Sequence, residues 1–95
     1  MGLTAEERKT IRERLRAEDA NYVAVFGSYA RGEETRTSDV DVLVRFSVRK
    51  SLLEIARIER ELADALGKPV ELVTERALSP YIAGRVDEEK EVLLA

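Results

Sequence analysis

Two aspartates in the middle of the chain, Asp39 and Asp41, have the type and spacing that could bind a divalent cation. They open a segment, residues 39–46, whose even positions are all apolar. Because side chains alternate between the two faces of a strand, both carboxylates should share the face opposite the apolar residues. Carboxylates this close repel each other, and Mg²⁺ prefers carboxylates combined with substrate phosphates. A solvent-facing strand that tolerates the pair is the alternative interpretation.

A Gly27-Ser28 pair, directly after an apolar run, could bind a phosphate. Glycine lets a ligand approach the backbone closely, and free N–H groups at a helix start can bind phosphate oxygens together with a serine hydroxyl. Taken alone, such a pair is most often an ordinary turn at the end of a strand. Arg31 lies one turn further on and could bind a phosphate, or could equally pair with Glu33 or Glu34.

Glu71 is the third acidic candidate. It lies between Val70 and Leu72 in the apolar segment 69–74 and should point away from both. If this strand lies beside the strand of the aspartates, Glu71 could ligate a metal or take the proton from an incoming hydroxyl. The chain has no histidine, so a carboxylate is the expected base and any metal must be bound by oxygen. An ordinary solvent-facing glutamate is the alternative.

The elements that must position these side chains can be read from capping residues and apolar periodicity. Thr4 with Glu7, and Ser51 with Glu54, have the spacing of a capping box at a helix start. The order of elements predicts an α/β fold with a small mixed β-sheet and flanking helices. Strands are expected at 22–26, 39–46 and 69–74, a short helical turn at 29–32, helices at about 5–17, 52–66 and 80 to 88 or 89, and a short strand or docked tail at 92–94.

The second long helix carries an apolar stripe that should pack against the sheet. Its apolar residues recur at helical spacing, and Gly67 suits the position that ends such a helix. Ile55, Ile58 and Leu62 are therefore assigned to the core. The full stripe comprises Leu52, Ile55, Ile58, Leu62, Ala65 and Leu66.

Composition limits the size and the class of the protein. The 95 residues, 44% of them hydrophobic, predict one domain over residues 1–95 with a modest core. Asp and Glu outnumber Lys and Arg by 19 to 16. Because nucleic-acid binders are usually basic, stable binding of nucleic acid is not expected. The sequence has no cysteine, no apolar stretch typical of a signal peptide and no membrane-spanning run, so we expect a cytoplasmic protein with no membrane contact.

Residues 27–46 join the candidate residues in one pattern, Gly-Ser, ten residues, and then Asp-x-Asp. The Gly-Ser pair follows a predicted strand, and Asp-x-Asp opens the next one. In this pattern the chain resembles the minimal nucleotidyltransferases, the small single-domain branch of the DNA polymerase β-like superfamily. The flanking residues Ala30, Arg31, Gly32 and Ser38 are also similar to that family. The resemblance is strong over residues 25–46 and extends more loosely through the third strand.

The resemblance implies a Mg²⁺-dependent nucleotidyltransferase with two metal ions and with ATP or another NTP as donor. An acceptor hydroxyl would attack the α-phosphorus, and pyrophosphate would leave. The resemblance implies that Gly27 and Ser28 bind phosphate and that Arg31 binds the nucleotide. It implies metal binding and catalysis by Asp39, Asp41 and Glu71. Many members of the family have Asp at the position of Glu71.

The resemblance also implies a partner. Minimal members are often paired with a helical HEPN-family protein in toxin–antitoxin systems, where the nucleotidyltransferase acts as antitoxin by adding AMP to a tyrosine hydroxyl of the toxin. Two alternatives remain, a non-catalytic antitoxin module that binds its partner without turnover, and nucleotidyl transfer to a small hydroxylated molecule. Retention of all three acidic positions favours the enzyme.

Overall fold

A four-stranded sheet in the order β3-β2-β1-β4 organises the chain. Strand β1 is antiparallel to β2 and β4, and β2 is parallel to β3, so the predicted small mixed sheet with flanking helices is confirmed. The computed structural model describes residues 2–95. Its elements are α1 (Ala5–Ala17), β1 (Ala20–Phe26), α2 (Gly27–Arg31), β2 (Val40–Phe46), α3 (Leu52–Leu66), β3 (Val70–Thr74), a 3₁₀ turn (Glu75–Ala77), α4 (Pro80–Glu89) and β4 (Glu91–Leu94).

Both predicted capping boxes are present at the helix starts. The Thr4 hydroxyl accepts a hydrogen bond from the Glu7 amide at 3.1 Å, and the Glu7 carboxylate accepts one from the Thr4 amide at 2.9 Å. Ser51 and Glu54 make the same reciprocal pair at 3.1 Å in both directions. These bonds satisfy backbone donors that have no partner within the helix, so α1 and α3 begin where the sequence predicts.

One face of the sheet packs against α1 and α3. The even positions Val40, Val42 and Val44 of β2 are fully buried there, as predicted from the alternation of the strand, and Phe46 at its end is partly buried. The main contributors are Ile11, Leu15, Val23, Val25, Val40, Val42, Val44, Ile58 and Leu62.

The core assignment on α3 is confirmed for Ile58 and Leu62, and in part for Ile55, but the apolar stripe extends beyond the buried region. Leu52 is 85% exposed, Ile55 is only partly buried, and full burial begins at Ile58. Apolar periodicity identifies the inward face of a helix, but it does not show how much of the helix length lies over the sheet.

The other face of β1 and β2 is covered by α4. Ala24, Phe26 and Leu43 form a second, smaller cluster there with Val86 of α4. Since Leu43 and Asp41 are two residues apart on one strand, Asp41 lies on this same face. Helix α4 begins after Ser79, whose hydroxyl accepts from the Tyr81 amide at 3.3 Å, with Pro80 in the first position.

Several boundaries differ from the sequence predictions. Strand β1 begins at Ala20, two residues early, because Asp19 takes a left-handed conformation (φ 73°) that ends α1 and turns the chain directly into pairing with Phe46. The short helix α2 begins at Gly27 and not at Tyr29.

Among the helices of residues 2–95, none combines the length and apolar character that crossing a membrane requires.

Candidate active site

Parallel pairing of β2 with β3 brings two of the predicted acidic residues side by side. The register places Asp41 opposite Glu71, and the Val40 amide donates to the Pro69 carbonyl at 2.8 Å at the start of the pair. Asp41 is half-buried, and Glu71 is exposed. Asp39 is exposed and directly precedes β2. Strands β2 and β3 both begin at the same end of the sheet, so the three carboxylates lie together at that end.

The Gly-Ser turn meets the aspartates at the same place. Antiparallel pairing sets Phe26 opposite Asp41, and Gly27 follows with a φ of 74°. A β-carbon at Gly27 would overlap the Oδ2 atom of Asp41, so the carboxylate lies directly against the glycine backbone. This close approach, together with the left-handed conformation, explains why glycine is required here. Ser28 follows in the first turn of α2 and is half-buried.

The site carries an excess of negative charge. Burial, followed by the nearby charges of Glu71 and Asp39, raises the pKa of Asp41 from its usual 3.8 to about 6, and Arg31 only partly opposes this rise. Within residues 2–95, no three acidic side chains converge into a set that could hold a metal ion as they stand. The structure thus brings Asp41 and Glu71 together with Asp39 nearby, and their metal-binding roles stay predictions.

Arg31 pairs with two carboxylates beside the turn. Its Nε donates to Glu33 at 2.8 Å, and pairing with Glu33 is one of the two alternatives predicted for this residue. Its Nη1 donates to both carboxylate oxygens of Glu89, at 3.1 and 3.0 Å. Glu34 accepts instead from the Gly2 amide at 2.8 Å. The hydrogen bond that Arg31 donates to Glu33, followed by those that it donates to Glu89, raises the pKa of Arg31 above its usual value.

Glu89 is the residue of this site that the sequence does not reveal. Besides Arg31, its Oε1 accepts from the Gly27 amide at 3.1 Å, across 62 positions of the chain. Burial alone would raise the pKa of Glu89, but the bonds from Arg31 and Gly27 outweigh it and hold the pKa below its usual value. A glutamate at the end of a helix has no local signature, so only the fold shows this contact.

The acidic residues lie outside a groove that is formed by other residues of the same two strands. A groove of about 790 Å³ lies at the other end of β2 and β3, where it is lined in part by Phe46, Val48 and Leu52. Asp41 precedes Phe46 by five positions, which is roughly 16 Å along a strand. The candidate site therefore lies apart from this groove, at the opposite end of the two strands.

Comparison with known proteins connects this arrangement to one family. The Nucleotidyltransferase domain family matches residues 8–93. The protein adenylyltransferase MntA of Thermococcus cleftensis is 43% identical over 84 residues, which cover 88% of this chain and 81% of MntA. A minimal nucleotidyltransferase of known structure is 38% identical with a TM-score of 0.75, covering 92% of this chain and 88% of its own. A crystal structure of a toxin–antitoxin with AMP-PNP is 27% identical with a TM-score of 0.83, covering 93% of this chain and 73% of that one.

Proposed function

Because the chain belongs to the nucleotidyltransferase family, among its minimal members, we propose that it transfers AMP from ATP to a tyrosine hydroxyl of a HEPN-family partner and thereby acts as its antitoxin. The donor and the acceptor class are supported by relatives. MntA of Thermococcus cleftensis is a protein adenylyltransferase, and a similar fold occurs in a toxin–antitoxin structure with AMP-PNP.

One observation carries the proposal for this chain's own residues. Asp41 lies opposite Glu71 and against the backbone of Gly27, so the acidic pair and the Gly-Ser turn form one surface. A nucleotidyl transfer needs both parts at once, because carboxylates organise the reacting phosphorus while the turn binds the rest of the triphosphate. An exposed strand that merely tolerated two aspartates would not require a glycine packed against one of them.

The chemistry of this surface fits a divalent cation. The crowding that raises the pKa of Asp41 is relieved by positive charge, and carboxylate oxygens are the ligands that Mg²⁺ prefers. Asp39, Asp41 and Glu71 would together hold two Mg²⁺ ions. When bound, Mg²⁺ would supply the positive charge that offsets the triphosphate and stabilises the phosphorus centre during displacement.

The side chains of the site also bind the triphosphate and accept the proton of the acceptor. The Ser28 hydroxyl and the Arg31 guanidinium bind triphosphate oxygens and orient the α-phosphorus towards the acceptor. The tyrosine oxygen forms a bond to that phosphorus as the bond to pyrophosphate breaks. Glu71, exposed on β3, takes the proton of the tyrosine hydroxyl on its carboxylate. Most of the rate enhancement comes from this positioning and from charge stabilisation.

Transfer of label tests the function directly. The chain is incubated with α-labelled ATP, Mg²⁺ and the product of the adjacent gene, and label on that protein is followed by gel and by mass spectrometry. Label on a tyrosine is the expected result, with a loss of at least about 100-fold in Asp39→Asn and Asp41→Asn. Asp64→Asn is the matched control, because Asp64 is an exposed aspartate of α3 and should leave transfer unchanged.

The other outcomes identify the competing functions. Partner binding without label, unaffected by Asp39→Asn, would replace the enzyme with a non-catalytic antitoxin module. Label on a small hydroxylated molecule, and not on protein, would replace the acceptor. Full transfer by the Asp39→Asn/Asp41→Asn double variant would reject the assignment of the acidic residues.

A further inference from the structure

A single carboxylate at the end of α4 connects two groups of the nucleotide-binding turn. Glu89 accepts from the Gly27 amide at 3.1 Å and from Arg31 Nη1 at 3.1 and 3.0 Å. Gly27 begins α2 and Arg31 ends it, so Glu89 ties both ends of this one-turn helix to α4. Helix α4 is in turn anchored on the sheet through Val86, which is buried.

The contacts of Arg31 fix the plane of its guanidinium. Nε is bonded to Glu33 and Nη1 to Glu89, whereas Nη2 makes no hydrogen bond within residues 2–95. A guanidinium is planar, so bonds at two of its nitrogens determine where the third one points. Nη2 is therefore presented in one orientation before any ligand arrives, which lowers the entropic cost of binding a phosphate.

Exposure indicates that Glu89 supports the turn from behind. Its side chain is 16% exposed, against 35% for Arg31 and 67% for Glu33. A triphosphate that arrives from solvent would meet the exposed side of Arg31, while the less exposed carboxylate of Glu89, at the end of α4, contacts α2. Glu89 thus contacts Arg31 only at Nη1 and leaves Nη2 available for phosphate, whereas the Gly27 amide is occupied by its hydrogen bond to Glu89.

We propose that Glu89 is a positioning residue of the nucleotide site, which orients Arg31 for a nucleoside triphosphate and holds the start of α2 in place through the Gly27 amide. This inference rests on the proposed function, because it assumes that the turn binds the triphosphate. It adds the last turn of α4 to the site, although that segment carries none of the signature residues. Displacement of α4 would then change nucleotide affinity without any contact to the nucleotide.

Nucleotide binding by variants of Glu89 tests the inference. The dissociation constant of AMP-PNP with Mg²⁺ is measured by calorimetry for the wild type, Glu89→Ala and Glu89→Gln. Glu89→Ala should weaken binding roughly tenfold and Glu89→Gln less, because the amide oxygen of Gln keeps one acceptor. In transfer assays the loss should appear in KM for ATP and leave kcat nearly unchanged.

A matched control separates positioning from loss of any ion pair in this segment. Glu91 lies two positions further on, and its carboxylate pairs with Arg8 of α1 at 2.8 Å and not with Gly27 or Arg31. Glu91→Gln should therefore bind AMP-PNP like the wild type. The Gly27 amide resonance in a ¹⁵N NMR spectrum should shift in Glu89→Ala and stay in place in Glu91→Gln.

Each remaining outcome decides between the proposals. Equal or tighter binding by a folded Glu89→Ala would overturn the inference, since it would mean that Glu89 competes with phosphate. If circular dichroism shows that Glu89→Ala is unfolded, the affinity of Glu89→Gln for AMP-PNP is the test. An affinity of Glu89→Gln equal to that of Glu91→Gln would reject the positioning role. A wild type that binds AMP-PNP but transfers no label refutes the proposed function while the binding comparison still tests Glu89. A wild type that binds no nucleotide refutes both.

Discussion

Replacing Asp41 with Asn should stabilise the protein at neutral pH when divalent cations are absent. Asp41 is half-buried against Gly27 and lies beside Glu71, so its ionised form is unfavourable in the folded chain. Asn has nearly the same shape and no charge, and the substitution therefore removes the repulsion while it preserves the packing. The gain should be confined to the pH range in which Asp41 is ionised.

The size of this effect follows from the pKa of Asp41. A rise from 3.8 to about 6 corresponds to about 3 kcal/mol at pH 7 for a fully buried group. Asp41 is only half-buried, and solvent screens the repulsion, so we expect about 1 kcal/mol. Because the pKa is higher in the folded state, the favourable contribution of Asp41 is complete below about pH 4 and is lost as the pH rises through about 6.

Urea unfolding in EDTA, followed by circular dichroism between pH 4.5 and pH 7.5, measures this difference. The advantage of Asp41→Asn over the wild type should grow across that range to about 1 kcal/mol. In thermal unfolding at pH 7.5 the same difference should shift Tm by about 4–8 °C. Asp64→Asn is the control and should show no such growth. Added Mg²⁺ should stabilise the wild type more than Asp41→Asn, since a ligand stabilises the state that binds it. A difference that is constant with pH would refute the crowding of Asp41 by its acidic neighbours.

Two further substitutions test the packing around the site. Gly27→Ala should lower the free energy of unfolding by roughly 1–2 kcal/mol, because alanine is strained in a left-handed conformation. It should also weaken AMP-PNP binding in calorimetry by displacing the Asp41 carboxylate, and wild-type affinity in this variant would contradict that contact. Ile58→Ala should cost roughly 2–5 kcal/mol in urea unfolding. Leu52→Ala, on the same helix but 85% exposed, should stay within about 0.5 kcal/mol, and equal costs would contradict their different burial.

Local chemistry explains which parts of the fold the sequence predicts well. A capping box involves residues three positions apart, so Thr4 with Glu7 and Ser51 with Glu54 locate two helix starts without tertiary information. Alternation along β2 likewise identifies Val40 as inward, because a strand side chain has only two faces to choose from.

The failures concern features that depend on distant parts of the chain. Leu52 fits the apolar stripe of α3, but its burial depends on whether other elements lie over that end of the helix. Arg31 has two carboxylates near it in sequence but pairs with only one of them, Glu33, and its other partner, Glu89, lies 58 positions away. The short helix α2 begins at Gly27, whose backbone lies against Asp41 of β2, and such a contact between a helix start and a distant strand has no local sequence signature.

The placement of the acidic residues on β2 also explains why a cation is the expected remedy for their repulsion. Strand β2 is paired on both sides, and Val40, Val42 and Val44 are fully buried on its opposite face. A shift of register by one residue would move these valines out of the core and bring the aspartates in, so the strand cannot slip to separate Asp41 from Glu71. Protonation relieves the crowding only below about pH 6, where the pKa of Asp41 lies. At neutral pH, a bound cation can still reduce the repulsion between Asp41 and Glu71. Because the core holds β2 in place, the carboxylates stay close enough to bind that cation.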